Sequence, residues 1–429
     1  MSTFAIDQFP VAHDVDVAVC GGGPAGLCAA VAAAESGAST LLVEHYGFLG
    51  GMMTAGLVNP FMSYWAGKEQ INKGVFQRMI DYMRKANAYG TRPDAKTAFD
   101  PEVAKLVLDR LALDAGVQLR FHGTVCAAQV SNRRVERILL QSKSGFEAVT
   151  ARVFVDCTGD ADLAFYAGAK IEKGRPEDGL CQPMTANFRM AGVDEKRMPM
   201  RDEINALYDA AREAGEVENP RENVLWFYTT RPGEIHFNTT RVVRLDATNA
   251  LDLTAAELES RRQISQMIRF LVAKVPGFEN AYLTAVPAQI GIRESRRVLG
   301  DYVLTAEDVL AARKFEDGIA RGSYPVDIHS PTGGGTVIKR LPAGEAYDIP
   351  YRCLCPLGFD NLLIGGRPIS SDHAAHSSHR VMPIAACNGE AAGLAAAMSV
   401  KGSTDIRGID VAALRQTLAD RGASIYGLS

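Results

Sequence analysis

The chain has 429 residues, 47% hydrophobic and 22% charged, a balance that lets a globular protein bury a large core and excludes wholesale disorder. Its 46 basic and 50 acidic residues give a formal net charge of −4, so no basic excess exists to neutralise phosphates and nucleic-acid binding is excluded on electrostatic grounds. The length fits two or three domains, or one interleaved one.

The leader from Met1 to Asp14 carries acids and no Lys or Arg. It lacks the basic start and apolar stretch of a signal peptide, and no run of about 18 apolar residues follows. The reading is a cytoplasmic protein with no membrane span. Eight cysteines are scattered through apolar contexts, as small buried hydrophobes are. Cys353 and Cys355 are the one close pair, and no second pair could complete a zinc site with them, so no metal site is expected.

Val15–Cys20 reads as a strand buried on both faces, at the centre of a parallel sheet. A glycine turn from Gly21 to Gly26 follows, then an alanine-rich helix to Ser36, a stop at Gly37 and a second strand over Ser39–Glu44. Together they make a βαβ unit of about 30 residues. Gly47–Gly67 reads as a loop passing a ligand. Helices are predicted over Lys73–Asn87 and Asp100–Ala115, the latter with an Asp-Pro start. Val117–Phe121, Val125–Val130, Arg134–Gln141 and Phe146–Ala151 read as strands of a smaller sheet. Arg152–Asp156 returns to a buried strand, with a turn over Cys157–Asp160. The middle of the chain mixes strands (Thr185–Met190, Glu234–Asn238) with helices (Arg201–Ala214, Thr254–Val275, Thr305–Arg321). Asn361–Gly366 is another strand and turn, followed by a histidine-rich loop and an alanine-rich helix over Pro383–Ser399.

Gly21, Gly23 and Gly26, with Pro24 and Ala25 between them, form a strand–GxGxxG–helix fingerprint. The first glycine permits the tight turn, the second the approach of a pyrophosphate to backbone amides, the third close helix–strand packing. Glu44 ends the second strand 44 − 26 = 18 residues after the last glycine, close to the ~20 at which a carboxylate meets a ribose. This is a dinucleotide site. Three features favour FAD over NAD: Gly50-Gly51-Met52-Met53-Thr54 in place of a second mononucleotide half, a strand–Thr158-Gly159-Asp160 turn, and the Gly365-Gly366 turn. The helix after that last turn offers its N-terminus to negative charge at flavin N1/O2.

On these residues the sequence resembles the FAD oxidoreductases whose FAD domain is like that of glutathione reductase, and within them a bacterial FAD-dependent oxidoreductase family. The matching stretches include Leu49–Met52, Phe237–Val242, Gly277–Leu283, Gly291–Arg297, Tyr347–Arg352, Asn361–Arg367 and His373–Pro383. The resemblance implies an α/β fold with noncovalent FAD. A discontinuous Rossmann-like FAD domain with a parallel sheet (12–165 and 350–429) is interrupted by an inserted α+β substrate domain (166–349). It also places Val125 where a strand backbone meets the adenine. Gly366, Arg367 and Met382 complete the expected cofactor contacts.

His373, His376 and His379 lie before the last helix, where the family pattern carries one or two histidines. A histidine there can take the proton that accompanies hydride loss; His373 and His376 are the first choices. Arg293 and Arg380 are the other candidate active-site residues, as guanidinium forks for a substrate carboxylate or the isoalloxazine. Arg296 and Arg297 read as an ion-pair network between domains. Met52, Met53 and Trp65 either pack over the flavin or join the core. Asn238 and Arg241 border the pocket; His236 and His329 read as structural. The expected function is hydride transfer from a small organic substrate to flavin N5, with oxygen, a quinone or a protein as electron acceptor. The alternatives are a flavin monooxygenase or hydroxylase, and a flavin electron-transfer subunit of a larger complex. Disulfide reduction is disfavoured, because no close cysteine pair follows the first βαβ unit. A homo-oligomer is left open.

Overall fold

In a computed structural model, which describes residues 6–428, the first apolar run forms strand β1 (Val11–Cys20), followed by helix α1 (Pro24–Glu35) and strand β2 (Thr40–Val43). The first five residues of the leader and Ser429 lie outside the described residues. Strands β3 (Gln118–Arg120), β4 (Thr124–Ser131), β5 (Arg134–Ser142) and β6 (Gly145–Asp156) follow, and β7 (Leu362–Ile364) returns from far along the chain. They make one seven-stranded sheet in the order β3-β2-β1-β6-β5-β4, with β7 also pairing β6. Val17 to Cys20 are wholly inaccessible, as a strand with parallel neighbours on both sides and helices over its faces must be.

Two sequence expectations change here. The segments Phe146–Ala151 and Arg152–Asp156 are a single strand, and the smaller sheet is continuous with the parallel one. β5 pairs antiparallel with the first half of β6, from Gly145 to Thr150; β7 pairs parallel with its last residues, Phe154 to Asp156. No turn residue separates Ala151 from Arg152, so the strand runs through. Val117–Phe121, read as part of the smaller sheet, instead pairs parallel with β2. A third correction concerns Thr305–Arg321, read as one helix. Only Ala306–Leu310 is helical, started by a reciprocal capping box between Thr305 and Asp308. Ala312 then turns left-handed (φ 50°), and Gly318–Gly322 becomes a strand against Tyr347–Pro350. Glycine is required there: a Cβ at Gly322 would lie 2.4 Å from the Tyr347 ring.

After β7 the short helix α2 (His373–His379) bends by 94° into the long helix α3 (Met382–Gly402). Helix α3 lies directly on α1 because two glycines one turn apart remove the side chains between them. A Cβ at Gly389 would fall 2.2 Å from the Ala25 carbonyl oxygen, and one at Gly393 1.9 Å from that of Ala29. Both helices are apolar almost all round, as fully buried helices are.

The apolar side chains gather into two main clusters. The larger surrounds the seven-stranded sheet; the smaller, drawn from Met184 to Ile292, lies between a four-stranded antiparallel sheet and its helices. Apolar residues from Val298 to Ile349 join the larger cluster. Among the described residues, no single helix is long and apolar enough to cross a membrane.

Candidate active site

A long cavity runs from the glycine turn to the wall of the smaller cluster. At one end, the three motif glycines divide their tasks as their spacing demands. Gly21 adopts φ 96°, and a Cβ there would lie 2.4 Å from the Cys157 carbonyl. A Cβ at Gly26 would strike the Gly21 carbonyl at 1.7 Å, so this position sets helix–strand packing. Gly23 alone is open, its nearest neighbour being Gly51 Cα at 3.8 Å. It is the N-cap of α1, and no side chain caps the free amides there, which leaves an anion-binding helix end. Glu44 is buried at the tip of β2. Its carboxylate accepts hydrogen bonds from the amides of Gly22 (2.6 Å) and Tyr46 (2.9 Å), fixing the turn to the second strand.

At mid-cavity Asp156, the last residue of β6, shapes the next turn. It accepts hydrogen bonds from the Thr158 amide (3.0 Å) and hydroxyl (2.7 Å) and from the Ala164 amide (2.8 Å). This projects Thr158, Gly159 and Asp160 into the cavity. The Asp160 carboxylate accepts from Arg367 at 2.7 Å and from the Ser295 hydroxyl at 2.5 Å. The turn after β7 is held by Asn388 of α3, whose side chain accepts from the Gly366 amide at 2.5 Å.

The far wall is polar and cationic. Arg293 donates to the Pro183 carbonyl (2.9 Å), the Thr185 hydroxyl and Asn238 (3.4 Å), and it forms no ion pair among the described residues. Arg380 donates to the Asp327 carbonyl at 3.4 Å and lies 3.8 Å from its carboxylate, and its Nε is buried with no hydrogen-bond partner. Asn187 gives its amide to the Gly56 carbonyl at 3.2 Å, while its Oδ1 is buried and unpartnered. All three line the cavity, as do the apolar side chains of Met52, Val58, Ile292 and Val381.

The model of the FAD dependent oxidoreductase family matches residues 16–418. The chain belongs to that family. No curated protein sequence matches it significantly. Among solved structures, it is similar to p-nitrophenol 4-monooxygenase PnpA from Pseudomonas putida DLL-E4, at 10% identity over 96% of this chain and 87% of that one, TM-score 0.48. A geranylgeranyl bacteriochlorophyll reductase-like protein from Thermoplasma acidophilum matches at 15% identity over 95% and 83%, TM-score 0.47. CabE, an aromatic hydroxylase from angucycline biosynthesis, matches at 14% identity and TM-score 0.46 over 95% of this chain. The chain spans about 65% of the length of CabE.

The cofactor of this oxidoreductase is FAD, and the residues present fit it. The open face of Gly23 beside an uncapped helix end suits a pyrophosphate. The N-terminus of α3, also without a side-chain cap, brings Met382 to the other end of the same cavity. Of the expected cofactor contacts, only Gly26 and Gly50 stand back from the cavity. Gly26 is consumed in packing. Gly50 donates its amide to the Gly22 carbonyl at 2.9 Å and so docks the Gly51–Met52 loop on the glycine turn.

The structure brings Arg293 and Arg380 to the cavity but not His373 or His376. The sharp bend between α2 and α3 turns Arg380, Val381 and Met382 inward and packs the histidines behind them. His373 bonds Glu294 through Nδ1 at 2.8 Å, and Glu294 in turn holds Arg297 at 2.5 Å. His376 is inaccessible, with both ring nitrogens unpartnered, and lies edge-on to His379. Burial pushes the His376 pKa well below the ordinary histidine value, with neighbouring cationic groups adding to the effect. His379 bonds the Ser371 hydroxyl at 2.8 Å.

Of the flavin-packing candidates, Met52 lines the cavity and Met53 is core. Trp65 is 45% exposed, in a separate aromatic cleft with Trp226. Arg296 pairs with Asp162 at 2.8 Å. Asn238 lines the cavity, whereas Arg241 lies behind it, bonded to Glu222 at 2.9 Å. His236 is inaccessible, and His329 packs against Asp327 and Arg241. Sequence reasoning passed over Asp156, Asn187 and Asn388. Their one signal was a polar residue inside an otherwise apolar element.

Proposed function

We propose that this chain oxidises a small organic substrate by hydride transfer to flavin N5 and passes the electrons to oxygen, a quinone or a protein acceptor. The observation that carries the reading is the continuity of one cavity. It begins at an uncapped helix end and Glu44, and it ends at a wall of Arg293, Arg380, Asn187 and Asn238 beside the N-terminus of α3. Bound FAD supplies the two-electron acceptor.

The chain's own groups do the rest. The α1 amides bind phosphate oxygens and the remaining lone pairs of Glu44 hold ribose hydroxyls. Asp160, fixed by Arg367 and Ser295, holds a ribityl hydroxyl. The α3 N-terminus stabilises negative charge on the flavin pyrimidine. Met52, Val58 and Val381 keep water from the reacting carbon. Arg293 and Arg380 orient the substrate. The proton-accepting role expected of His373 or His376 is not part of this proposal, since neither side chain reaches the cavity; the proton released with the hydride leaves to solvent.

We read the cofactor-binding part as glutathione-reductase-like on its strand–glycine turn–helix–strand–Glu44 order, and the segment with the smaller cluster as the substrate-binding insertion. The purified yellow protein, mixed anaerobically with a panel of alcohols, amines and acids, is expected to bleach with at least one. Bleaching only by a reduced nicotinamide, with oxygen then appearing in the product, would establish the monooxygenase alternative instead.

A further inference from the structure

Arg293 poses a charge problem. It donates three of its five N–H groups, all to neutral acceptors: a carbonyl, a hydroxyl and an amide oxygen. Three further guanidinium groups, of Arg380, Arg221 and Arg241, act on it repulsively, and only Asp327 is attractive among its principal electrostatic neighbours. Burial first, and then this repulsion, holds its pKa well below the ordinary arginine value. Around the four cations stand two carboxylates. Glu222 is bonded to Arg241 at 2.9 Å. Asp327 is shared between His329 (3.5 Å), the Tyr324 hydroxyl (2.9 Å) and Arg380 (3.8 Å). Arg221, 5% exposed, leaves Nη1 without a partner, and Arg380 leaves Nε so. Four buried or partly buried cations against two anions is an incomplete set, because charges removed from water are normally paired.

We infer that the missing anion is the substrate's own: the substrate of the proposed oxidation is an organic acid whose carboxylate is clamped between Arg293 and Arg380. This rests on the reading that the cavity holds FAD and a small oxidisable molecule. The planar fork of a guanidinium matches a carboxylate in a bidentate manner, and the two arginines reach the cavity from opposite elements, the segment after Gly291 and the α2–α3 bend. Met52, Val58, Ile292 and Val381 give the carbon skeleton an apolar lining. The unpartnered Asn187 Oδ1 stands in the same wall as an acceptor for a donor group on that skeleton.

The test measures binding to the FAD-loaded protein, by calorimetry and by perturbation of the flavin spectrum, with benzoate, benzamide and inorganic phosphate as probes. Benzoate is expected to bind and benzamide to bind at least about 30-fold more weakly. Arg293→Gln is expected to weaken benzoate by a similar factor while keeping a full complement of FAD, and Arg293→Lys to restore part of the loss. Equal binding of benzoate and benzamide, or unchanged benzoate binding in Arg293→Gln, overturns the inference. So does phosphate binding as tightly as benzoate, which would assign the arginines to a phosphate group. A protein whose flavin is bleached only by neutral alcohols or amines defeats this inference and leaves the oxidation standing. Selective benzoate binding with no bleaching by any alcohol, amine or acid overturns the oxidation, and only the carboxylate clamp of Arg293 and Arg380 is left standing.

Discussion

The two ends of the cavity are built from different materials. The cofactor end is made of backbone: glycines, helix termini and turn amides, with Glu44 and Asp156 serving mainly to hold those amides in place. The far end is made of side chains, arginines and asparagines spread along the chain from Asn187 to Arg380. A backbone-built site tolerates almost no added atom, because the packed glycines of the turn have no room for a Cβ and one at Gly23 would fill its open face. A side-chain-built site tolerates substitution as structure but loses its chemistry with one guanidinium. Damage at the first end should therefore remove the protein or its FAD. Damage at the second should spare both and remove recognition.

The comparison breaks most visibly at Gly389. Gly389→Val must displace the Ala25 backbone, and we expect a loss above about 4 kcal/mol, the range reserved for disrupted cores. Soluble, yellow protein of normal melting temperature would show that the α1–α3 contact is not what fixes the glycine turn. Next, Glu44→Ala should lower FAD retention by about 10- to 100-fold, in the range of one lost hydrogen bond to a charged group; equilibrium dialysis against free FAD measures it. An unchanged dissociation constant would place the adenosine ribose elsewhere.

The smallest effect concerns Glu390, buried in α3, with Oε2 accepting the Val75 amide at 2.9 Å and Oε1 unpartnered. Burial raises its pKa from 4.5 to about 7. A carboxyl with a raised folded pKa binds its proton more tightly in the native state, so its contribution falls as pH rises from about 4.5 to 7. Glu390→Gln should therefore melt higher than the wild type at pH 8, by at most about 3 kcal/mol, and equally at pH 4.5. A gap that widens on acidification would contradict this assignment.

The legibility of the molecule follows the same division. The βαβ unit, the glycine-turn end of the cavity and the apolar helix after Pro383 could be read from the chain, because their rules are local: a glycine spacing, an apolar run, a carboxylate at a strand end. The single strand through Ala151–Arg152 could not, since two different partners hold its two halves. The strand Gly318–Gly322 could not either, since Asp348 and Tyr347 across the ladder select Gly318 and Gly322. The histidines misled for a comparable reason. His373, His376 and His379 are close in sequence to the flavin end of α3, yet a 94° bend decides that Arg380 faces inward and they do not.

The amino-acid sequence by itself determined the cofactor class and the parallel core around it, because a phosphate-binding turn is encoded by residues that must avoid having side chains. The tertiary structure alone decided which cations meet in the cavity and which of them lack an anion. Charge balance belongs to groups that are neighbours in space and strangers along the chain.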